Sequence, residues 1–254
     1  MADSKLIGIV CAEEAEIQHI FEGLETEAVI TEIAGRKFHR STLNGVEIVC
    51  VRSFIGKCAA SLTTTLLIQE FKPSHVIFIG VAGSLGSECA VGDVVISTSC
   101  AQHDVDVRPF RKQCEIPEVG KIFFPADESM INSAVEAAKS ICDSIEEIVD
   151  RDTLSACSIK VPKVIRGVVA TGDQFCASAE KTDAIKAVLP EATCVEMEGA
   201  ALAYVCHEFN TPFVVVRIMS DGADGTAPGD FGLFMGKVCS PFTAAIAKQL
   251  LPKL

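Results

Sequence analysis

The sequence contains no run of lysine or arginine, and this absence excludes a large class of partners. The 254-residue chain has a formal net charge of −12, whereas a protein that binds nucleic acid needs a basic stripe. A long apolar segment near the start is missing as well. Leu6–Cys11 is too short for the core of a signal peptide or for a membrane span. We expect neither nucleic acid nor a membrane as a partner.

Paired cysteine motifs are also missing. The twelve cysteines include no C-x-x-C pair and are scattered through apolar runs. This pattern is typical of buried free thiols in a reducing cytoplasm, where we expect the protein to reside. No linker rich in proline, glycine or serine interrupts the chain, and it has no internal repeat. We therefore predict a single domain over residues 1–254.

Signatures of metals and nucleotide cofactors are absent too. The five histidines show no ligand spacing, and zinc needs three or four convergent ligands. The glycine turn Gly80–Gly83 is too short and too poor in lysine for a P-loop, and no dinucleotide fingerprint occurs. We expect no metal and no cofactor.

What the sequence does contain is a series of short apolar runs rich in valine and isoleucine, as in strands covered on both faces. They are Leu6–Cys11, Val46–Val51, Val76–Ile79, Val94–Ile96, Val164–Val169, Cys194–Met197 and Phe213–Met219. Helical patterns lie between several of them, at 17–24, 58–71, 128–150, 199–209 and 240–251. Turn residues predict hairpins within Arg36–Val51 and Val91–Ser99. The alternation predicts a three-layer α/β fold with a mixed, largely parallel central sheet flanked by helices.

The stretch from Thr193 to Asp224 holds the strongest functional signal. Two apolar runs there end in carboxylates, Glu198 and Asp221. A helix between them makes a βαβ unit, so we expect two parallel strands that carry both acids to the ligand-binding edge of the sheet. Acids or glycines also follow the earlier runs, at Glu13–Glu16, at the glycine turn and at 171–175. If these strands are parallel, all five stretches converge on one edge.

These stretches carry a resemblance to a known family. The chain resembles the 5′-methylthioadenosine/S-adenosylhomocysteine nucleosidases of the nucleoside phosphorylase superfamily. The similarity is collinear over nearly the whole chain, with an apparent insertion around Asp143–Pro162. The motifs are IGIVCAEEAEI, IGKCAA, GVAG, HDVDVRPF, ATGDQF, VEMEGAALAYVCHEFNTPFVVVR and SDGAD. The resemblance implies a homodimer that uses water to release adenine from a thionucleoside.

The resemblance also implies roles for individual residues. Asp221 would protonate N7 of the leaving adenine, Glu16 would activate water, and Glu198 would bind the ribose hydroxyls beside Met197. Arg217 would lie near the water and the acids, while Phe175 would stack on the purine and the backbone at Cys176 would read its edge. The 5′-thio pocket would contain Ile55, Val107, Phe110 and Phe231, with Val107 and Phe110 supplied across the dimer interface. Neighbouring substrate contacts are expected at Glu196, Val81, Ala82 and Ser220.

The chemistry gives these residue types a purpose. Loss of a purine from ribose places positive charge on the sugar and negative charge on the base. An acid at the base and a base for water together resemble an inverting glycosidase, and each such group contributes about 10²–10⁴-fold. Asp221 must be protonated to act, which a dry site beside other acids favours. An ionised Glu198 would accept two hydrogen bonds from a diol.

The choice of nucleophile is the main alternative. Related phosphorylases place arginine and serine around the glycine turn and arginine after the first strand, but this chain has Phe78, Val81 and the acids Glu13–Glu16 there. Carboxylates repel phosphate, so we predict hydrolysis and keep phosphorolysis as the alternative. A catalytically silent nucleoside-binding protein is a second alternative. Such a protein would be expected to lack the catalytic acids, but Glu16, Glu198 and Asp221 are all present.

Three departures from the family pattern affect the sugar side of the site. Val81 stands where a serine or threonine usually helps to hold the water, which leaves that role to Glu16 and Arg217. Glu13 replaces a methionine, and Phe54 replaces a small residue. Purely structural roles are the alternative for the acids: Glu16, Glu198 and Asp221 could stabilise helix ends or turns. Arg217 could serve a purely structural ion pair.

Overall fold

The computed structural model describes residues 5–222 and 231–254, and its ten strands form one sheet. The strands are β1 (Ile7–Cys11), β2 (Val29–Ile33), β3 (Arg36–Leu43), β4 (Val46–Arg52), β5 (His75–Ser84), β6 (Val94–Gln102), β7 (Phe123–Pro125), β8 (Val164–Thr171), β9 (Ala192–Glu196) and β10 (Phe213–Asp221). The helices are α1 (Glu14–Glu22), α2 (Lys57–Phe71), α3 (Glu128–Asp143), α4 (Arg151–Ala156), α5 (Ala179–Val188), α6 (Gly199–Glu208), α7 (Phe231–Leu233) and α8 (Ser240–Leu250). A π-helical stretch, Phe234–Cys239, joins α7 to α8.

Helices cover both faces of this sheet. On one face, α1, α3 and α8 contribute buried residues such as Ile17, Met130 and Phe242 to one apolar cluster. On the other face, α2 and α6 contribute residues such as Leu67 and Leu202 to a second cluster. All residues of β1 and β10 are buried, as expected for strands between two helical layers. The predicted α/β architecture is confirmed.

The sheet is mixed because one part of it closes on itself. Strands β4, β1, β5 and β10 run parallel to one another. Strand β6 pairs antiparallel with β10 and parallel with β8, and β8 pairs parallel with β9. Because β9 also pairs antiparallel with the end of β5, the strands β5, β10, β6, β8 and β9 form a closed ring.

The ring corrects the predicted arrangement of the two strands that flank α6. We expected β9 and β10 to be parallel within a βαβ unit, but they run in opposite directions and pair with β5 on different sides. The register Gly83↔Val195 brings the end of β9 beside the end of β5. The long β5 thus serves as the common neighbour that the local sequence pattern does not reveal.

Local turn chemistry explains one predicted hairpin and contradicts the other. β3 and β4 form the expected hairpin, and Asn44 and Gly45 at its turn have φ values of 49° and 74°. Positive φ at both positions is what a type I′ turn requires. The hairpin predicted within Val91–Ser99 is wrong: Gly92 N donates to the carbonyl of Met219 on β10 (2.8 Å), so the turn docks on a distant strand.

Several strands and helices escaped the sequence patterns, and one helix is shorter than predicted. Strands β2 and β7, helices α4, α5 and α7, and the π-helical stretch were not expected. The helix predicted over 128–150 ends at Asp143 and gives way to a short 3₁₀ turn at Ile145–Glu147. The first residue of α4 follows Asp150, whose side chain accepts from Thr153 N and caps the helix.

Candidate active site

A cavity opens where β5, β9 and β10 meet the start of α1, with about 750 Å³ of empty space including open solvent. Twelve of the predicted site residues line it: Glu16, Ile55, Val81, Ala82, Phe175, Cys176, Glu196, Met197, Glu198, Arg217, Ser220 and Asp221. The remaining lining residues are Ala12, Glu13, Gly83, Gln174, Val195 and Met235. Most of these additional residues lie next to a strand end that the sequence analysis identifies. Met235 could not be predicted from the sequence, because an apolar residue in a helix usually belongs to the core.

Glu16 is held by backbone donors. Its Oε2 accepts from Ala12 N (2.8 Å) and Glu13 N (2.9 Å) just ahead of α1, and its Oε1 accepts from Val81 N on β5 (2.9 Å). Burial raises the pKa of Glu16, although Arg217 and these hydrogen bonds favour the ionised form. The carboxylate is therefore fixed in orientation and poised to take a proton.

Gly80 allows Glu16 and Arg217 to approach the backbone of β5. A Cβ atom at this position would lie 2.6 Å from Arg217 Nη1 and closer still to Glu16 Oε1. Only a residue without a side chain leaves space for the carboxylate and the guanidinium together. Position 80 therefore requires glycine because Glu16 and Arg217 approach its backbone so closely.

Arg217 lies within β10 and is buried. Its Nη2 pairs with Glu196 Oε2 and lies 3.7 Å from Glu198 Oε2, and its Cζ lies 4.3 Å from the centre of the Phe78 ring. Its Nε is buried and has no hydrogen-bond partner within residues 5–222 and 231–254. The guanidinium is thus engaged mainly by acids of the protein itself.

Glu196 uses both carboxylate oxygens for contacts within the protein. Oε1 accepts from the hydroxyl of Thr171. Besides Arg217, Oε2 accepts from Glu198 N (3.0 Å) and Gly199 N (2.7 Å) at the start of α6. The resemblance implies that Glu196 contacts the substrate. Its contacts instead favour a role in positioning Arg217 and the start of α6.

Glu198 is better placed to meet a ligand. Its Oε1 accepts a hydrogen bond from Gly56 N (2.8 Å), which ties it to the loop before α2. Burial and the charge of Glu196 raise its pKa to about 8, while Arg217 and the Gly56 amide act in the opposite direction. A buried carboxyl group with unused acceptor capacity is suited to binding hydroxyls.

Asp221 ends β10, one residue after a register shift that separates Met219 from Asp221 in the pairing with β5. Such irregularities turn a side chain away from its regular direction. Asp221 is buried, and its Oδ2 accepts from the Ser220 hydroxyl (2.7 Å). Asp221 lines the cavity together with Phe175 and Cys176.

Phe175 leaves 62% of its surface exposed at the cavity mouth, whereas Cys176 is buried. Lys181 Nζ donates to the Phe175 carbonyl (3.0 Å) and thereby anchors this loop to α5. An exposed aromatic ring above a largely apolar wall is suited to stacking on a planar ligand.

Two predicted pocket residues, Val107 and Phe110, are not among those that line the cavity. Val107 is partly buried and Phe110 is 80% exposed, both outside the cavity wall of this chain. The side chain of Phe231 lies outside the described residues, so its predicted place stays a prediction.

The cavity has a strongly acidic lining. Glu13, Glu16, Glu196, Glu198 and Asp221 contribute five carboxyl groups, and one guanidinium accompanies them. Because that guanidinium is paired with Glu196, the site offers little compensation to a bound anion. Neutral ligands and water fit this electrostatic environment better than phosphate does.

Three features of the described ranges bear on other classes of function. No group of three or more His, Cys, Asp and Glu side chains there has the arrangement of a metal site. No helix there is long and apolar enough to span a membrane. The twelve cysteines form no disulfide bonds, and only Cys58 is exposed.

Comparison with known proteins places this architecture in a family. Residues 6–252 match the family model of the phosphorylase superfamily, and the chain belongs to that superfamily. Within it, the chain is 38% identical to the 5′-methylthioadenosine/S-adenosylhomocysteine nucleosidase of Shewanella frigidimarina over 232 residues. That match covers 91% of this chain and 92% of the relative. The resemblance that the motifs indicated is confirmed.

Solved structures show the same likeness. The nucleosidase from Neisseria meningitidis in complex with methylthio-immucillin-A has a TM-score of 0.85 and 32% identity, covering 98% of this chain and all of that one. A futalosine hydrolase of Helicobacter pylori has a TM-score of 0.81 and 33% identity, covering 99% of both chains. The fold is therefore shared by enzymes with more than one nucleoside substrate.

Proposed function

We propose that this enzyme hydrolyses the N-glycosidic bond of 5′-methylthioadenosine, and also of S-adenosylhomocysteine, to release adenine and a 5-thioribose. One observation carries the proposal: Glu16, Glu198 and Asp221, from three separate parts of the chain, line one cavity. The named relatives support the choice of substrates.

Two acids that line the cavity would divide the proton transfers. Asp221, hydrogen-bonded to Ser220, would protonate N7 of adenine as the bond to ribose breaks. Glu16 would take a proton from water as it attacks the sugar, and its pKa, raised by burial, favours accepting that proton. Three backbone donors keep its carboxylate in place.

The sugar would lie between these two groups. Glu198 would accept hydrogen bonds from the ribose hydroxyls, with Met197 alongside. In its ionised form, which Arg217 and the Gly56 amide favour, it would also stabilise the developing oxocarbenium ion. Phe175 would stack on the purine at the opening, and the backbone of Cys176 would read its edge. Ile55, which also lines the cavity, would contact the 5′ substituent.

Water is favoured over phosphate as the nucleophile because of charge. A phosphate dianion needs free arginine and hydroxyl donors. In this cavity Arg217 is already paired with Glu196, and position 81 carries valine. Phosphate would also meet the carboxylate of Glu16, which occupies the nearby backbone donors.

The decisive experiment is adenine release from 5′-methylthioadenosine in phosphate-free buffer, repeated with added phosphate. We expect equal rates and free 5-methylthioribose as the product. Strict dependence on phosphate, with a sugar 1-phosphate formed, would overturn the proposal in favour of a phosphorylase. Tight binding of nucleoside without turnover would instead indicate a silent binding protein.

Futalosine is a second candidate substrate, because the likeness to the futalosine hydrolase is close to that of the nucleosidases. The substrate panel should contain futalosine and inosine beside the two adenine thionucleosides. We expect the highest kcat/KM for 5′-methylthioadenosine. A preference for futalosine would keep the proposed bond cleavage and change the assigned substrate.

We further propose that the enzyme is a cytoplasmic homodimer with shared pockets. Phe110 is an exposed apolar residue that does not reach the cavity of its own chain. Together with Val107 it could complete the 5′ side of the partner's pocket. The twelve free cysteines fit a reducing compartment.

A further inference from the structure

A lysine and two aspartates connect three loops beside the cavity. Lys57 begins α2, Asp104 follows β6, and Asp173 follows β8. Lys57 Nζ lies 2.6 Å from Asp104 Oδ1 and 3.8 Å from Asp173 Oδ2. The side chains of Lys57 and Asp104 are only 17% and 21% exposed, which distinguishes this contact from ordinary surface ion pairs.

Backbone hydrogen bonds complete the connection. Asp173 Oδ1 accepts from Lys57 N (2.9 Å) and so caps α2 from another loop, and Asp173 N donates to Asp104 Oδ2 (3.0 Å). Partial burial opposes ionisation of Asp104, but the Lys57 ammonium and the Asp173 amide hold its pKa below the ordinary value. Each member of the group thus contacts both of the others.

The group adjoins two parts of the proposed site without lining the cavity itself. Gly56, directly before Lys57, donates its N–H to Glu198. Gln174, Phe175 and Cys176, directly after Asp173, form the wall proposed for the purine. The loop that contacts Glu198 and the loop proposed to hold the purine are therefore joined by the Lys57 ammonium and by the hydrogen bond from Lys57 N to Asp173.

We propose that Lys57, Asp104 and Asp173 are positioning residues that set the distance between the ribose-binding and purine-binding sides of the pocket. This inference rests on the proposed function and deepens it. Glu16 and Asp221 follow other strands and take no part in the connection. Loss of the connection should therefore weaken nucleoside binding more than it slows the chemical step.

The test compares Lys57→Met, Asp104→Asn and the double variant with wild type. A hydrogen bond to a charged partner changes an equilibrium constant by about 10- to 100-fold, of which we expect about tenfold in KM for 5′-methylthioadenosine. The value of kcat should stay within about threefold. Both single changes break the same contact, that between Lys57 and Asp104. The KM of the double variant should therefore be no higher than that of the more impaired single variant.

Glu136→Gln is the control, because it removes a lysine–carboxylate contact of similar length, Lys253 Nζ to Glu136 Oε1 at 2.5 Å, between residues that do not line the cavity. Its KM should equal that of wild type. The dissociation constant of methylthio-immucillin-A, measured by calorimetry, gives the same comparison without turnover. If wild type releases no adenine, the proposed function fails, while the calorimetric series still tests the connection.

Three results would overturn the inference. One is a KM and an inhibitor affinity within twofold of wild type in all three variants. Another is a loss of kcat at unchanged KM together with a lower melting temperature, which indicates a smaller folded fraction. The third is that the effects of the two single changes multiply in the double variant.

Discussion

Replacement of Gly80 by alanine gives the most direct test of the proposed base. The new Cβ atom would lie 2.6 Å from Arg217 Nη1, whereas real Cβ atoms essentially never come closer than 3.0 Å to another heavy atom. The guanidinium must therefore move by at least 0.4 Å, the difference between these two distances. Glu16 Oε1 is closer and must move further, away from the hydrogen bond with Val81 N.

The magnitude follows from this displacement. Extra methylene groups in a packed interior cost about 1–3 kcal/mol of folding free energy. A catalytic group displaced by about 1 Å costs about 10²-fold in rate. For Gly80→Ala we expect kcat to fall by about 10²-fold, a melting temperature lowered by a few degrees, and little change in affinity for adenine, which we propose to bind against Phe175 and Cys176.

Steady-state adenine release in phosphate-free buffer, with a thermal melt of each sample, measures these quantities. Gly236→Ala is the control, because a Cβ atom at Gly236 would meet no heavy atom within 4 Å. A Gly80→Ala enzyme with kcat within threefold of wild type would show that Glu16 is not the base or that β5 yields without moving it. Equal losses in both variants would point to general destabilisation.

Four other changes test separate parts of the proposal. Asp221→Asn should keep substrate binding but lower single-turnover rates by more than 10²-fold, because an amide cannot supply the proton. Val81→Ser should leave kcat unchanged or raise it, and a large drop would mean that the water lies elsewhere. Burial raises the pKa of Glu198 to about 8, so the folded protein holds an extra proton and loses stability as the pH rises from about 4.5 to about 8. Glu198→Gln should remove that fall in melts at pH 5 and pH 8. Phe110→Ala should lower kcat/KM about tenfold. Reassembly of this variant with the Asp221→Asn variant should restore activity, because each mixed dimer would contain one pocket with both an intact Asp221 and an intact Phe110. Absence of restoration would exclude a shared pocket.

The sequence predicted which residues meet better than it predicted how the strands bring them together. The βαβ pattern predicts that Glu198 and Asp221 lie side by side at the ends of parallel neighbouring strands. They do line one cavity, but β9 and β10 run in opposite directions on either side of β5. Local periodicity identifies a strand and its buried face, whereas pairing direction depends on contacts between distant parts of the chain.

The side-chain partners were the least predictable feature. Arg217 in an apolar strand required an acid, but the sequence offered several candidates. The structure selects Glu196, whose remaining acceptor positions are filled by Thr171 and the start of α6. Nothing in the local pattern distinguishes this acid from Glu198 two residues later, because the difference arises from which loops pack against each carboxylate.

Membership of the phosphorylase superfamily does not decide the nucleophile, but the use of donors in the site does. Backbone N–H groups at the start of a helix are a ready site for an anion. Here the carboxylate of Glu16 accepts from Ala12 N and Glu13 N just ahead of α1, and also from Val81 N. The one guanidinium that lines the cavity is paired with Glu196. Since the protein's own acids occupy the donors that phosphate requires, a neutral water molecule is the nucleophile that this arrangement can hold and activate.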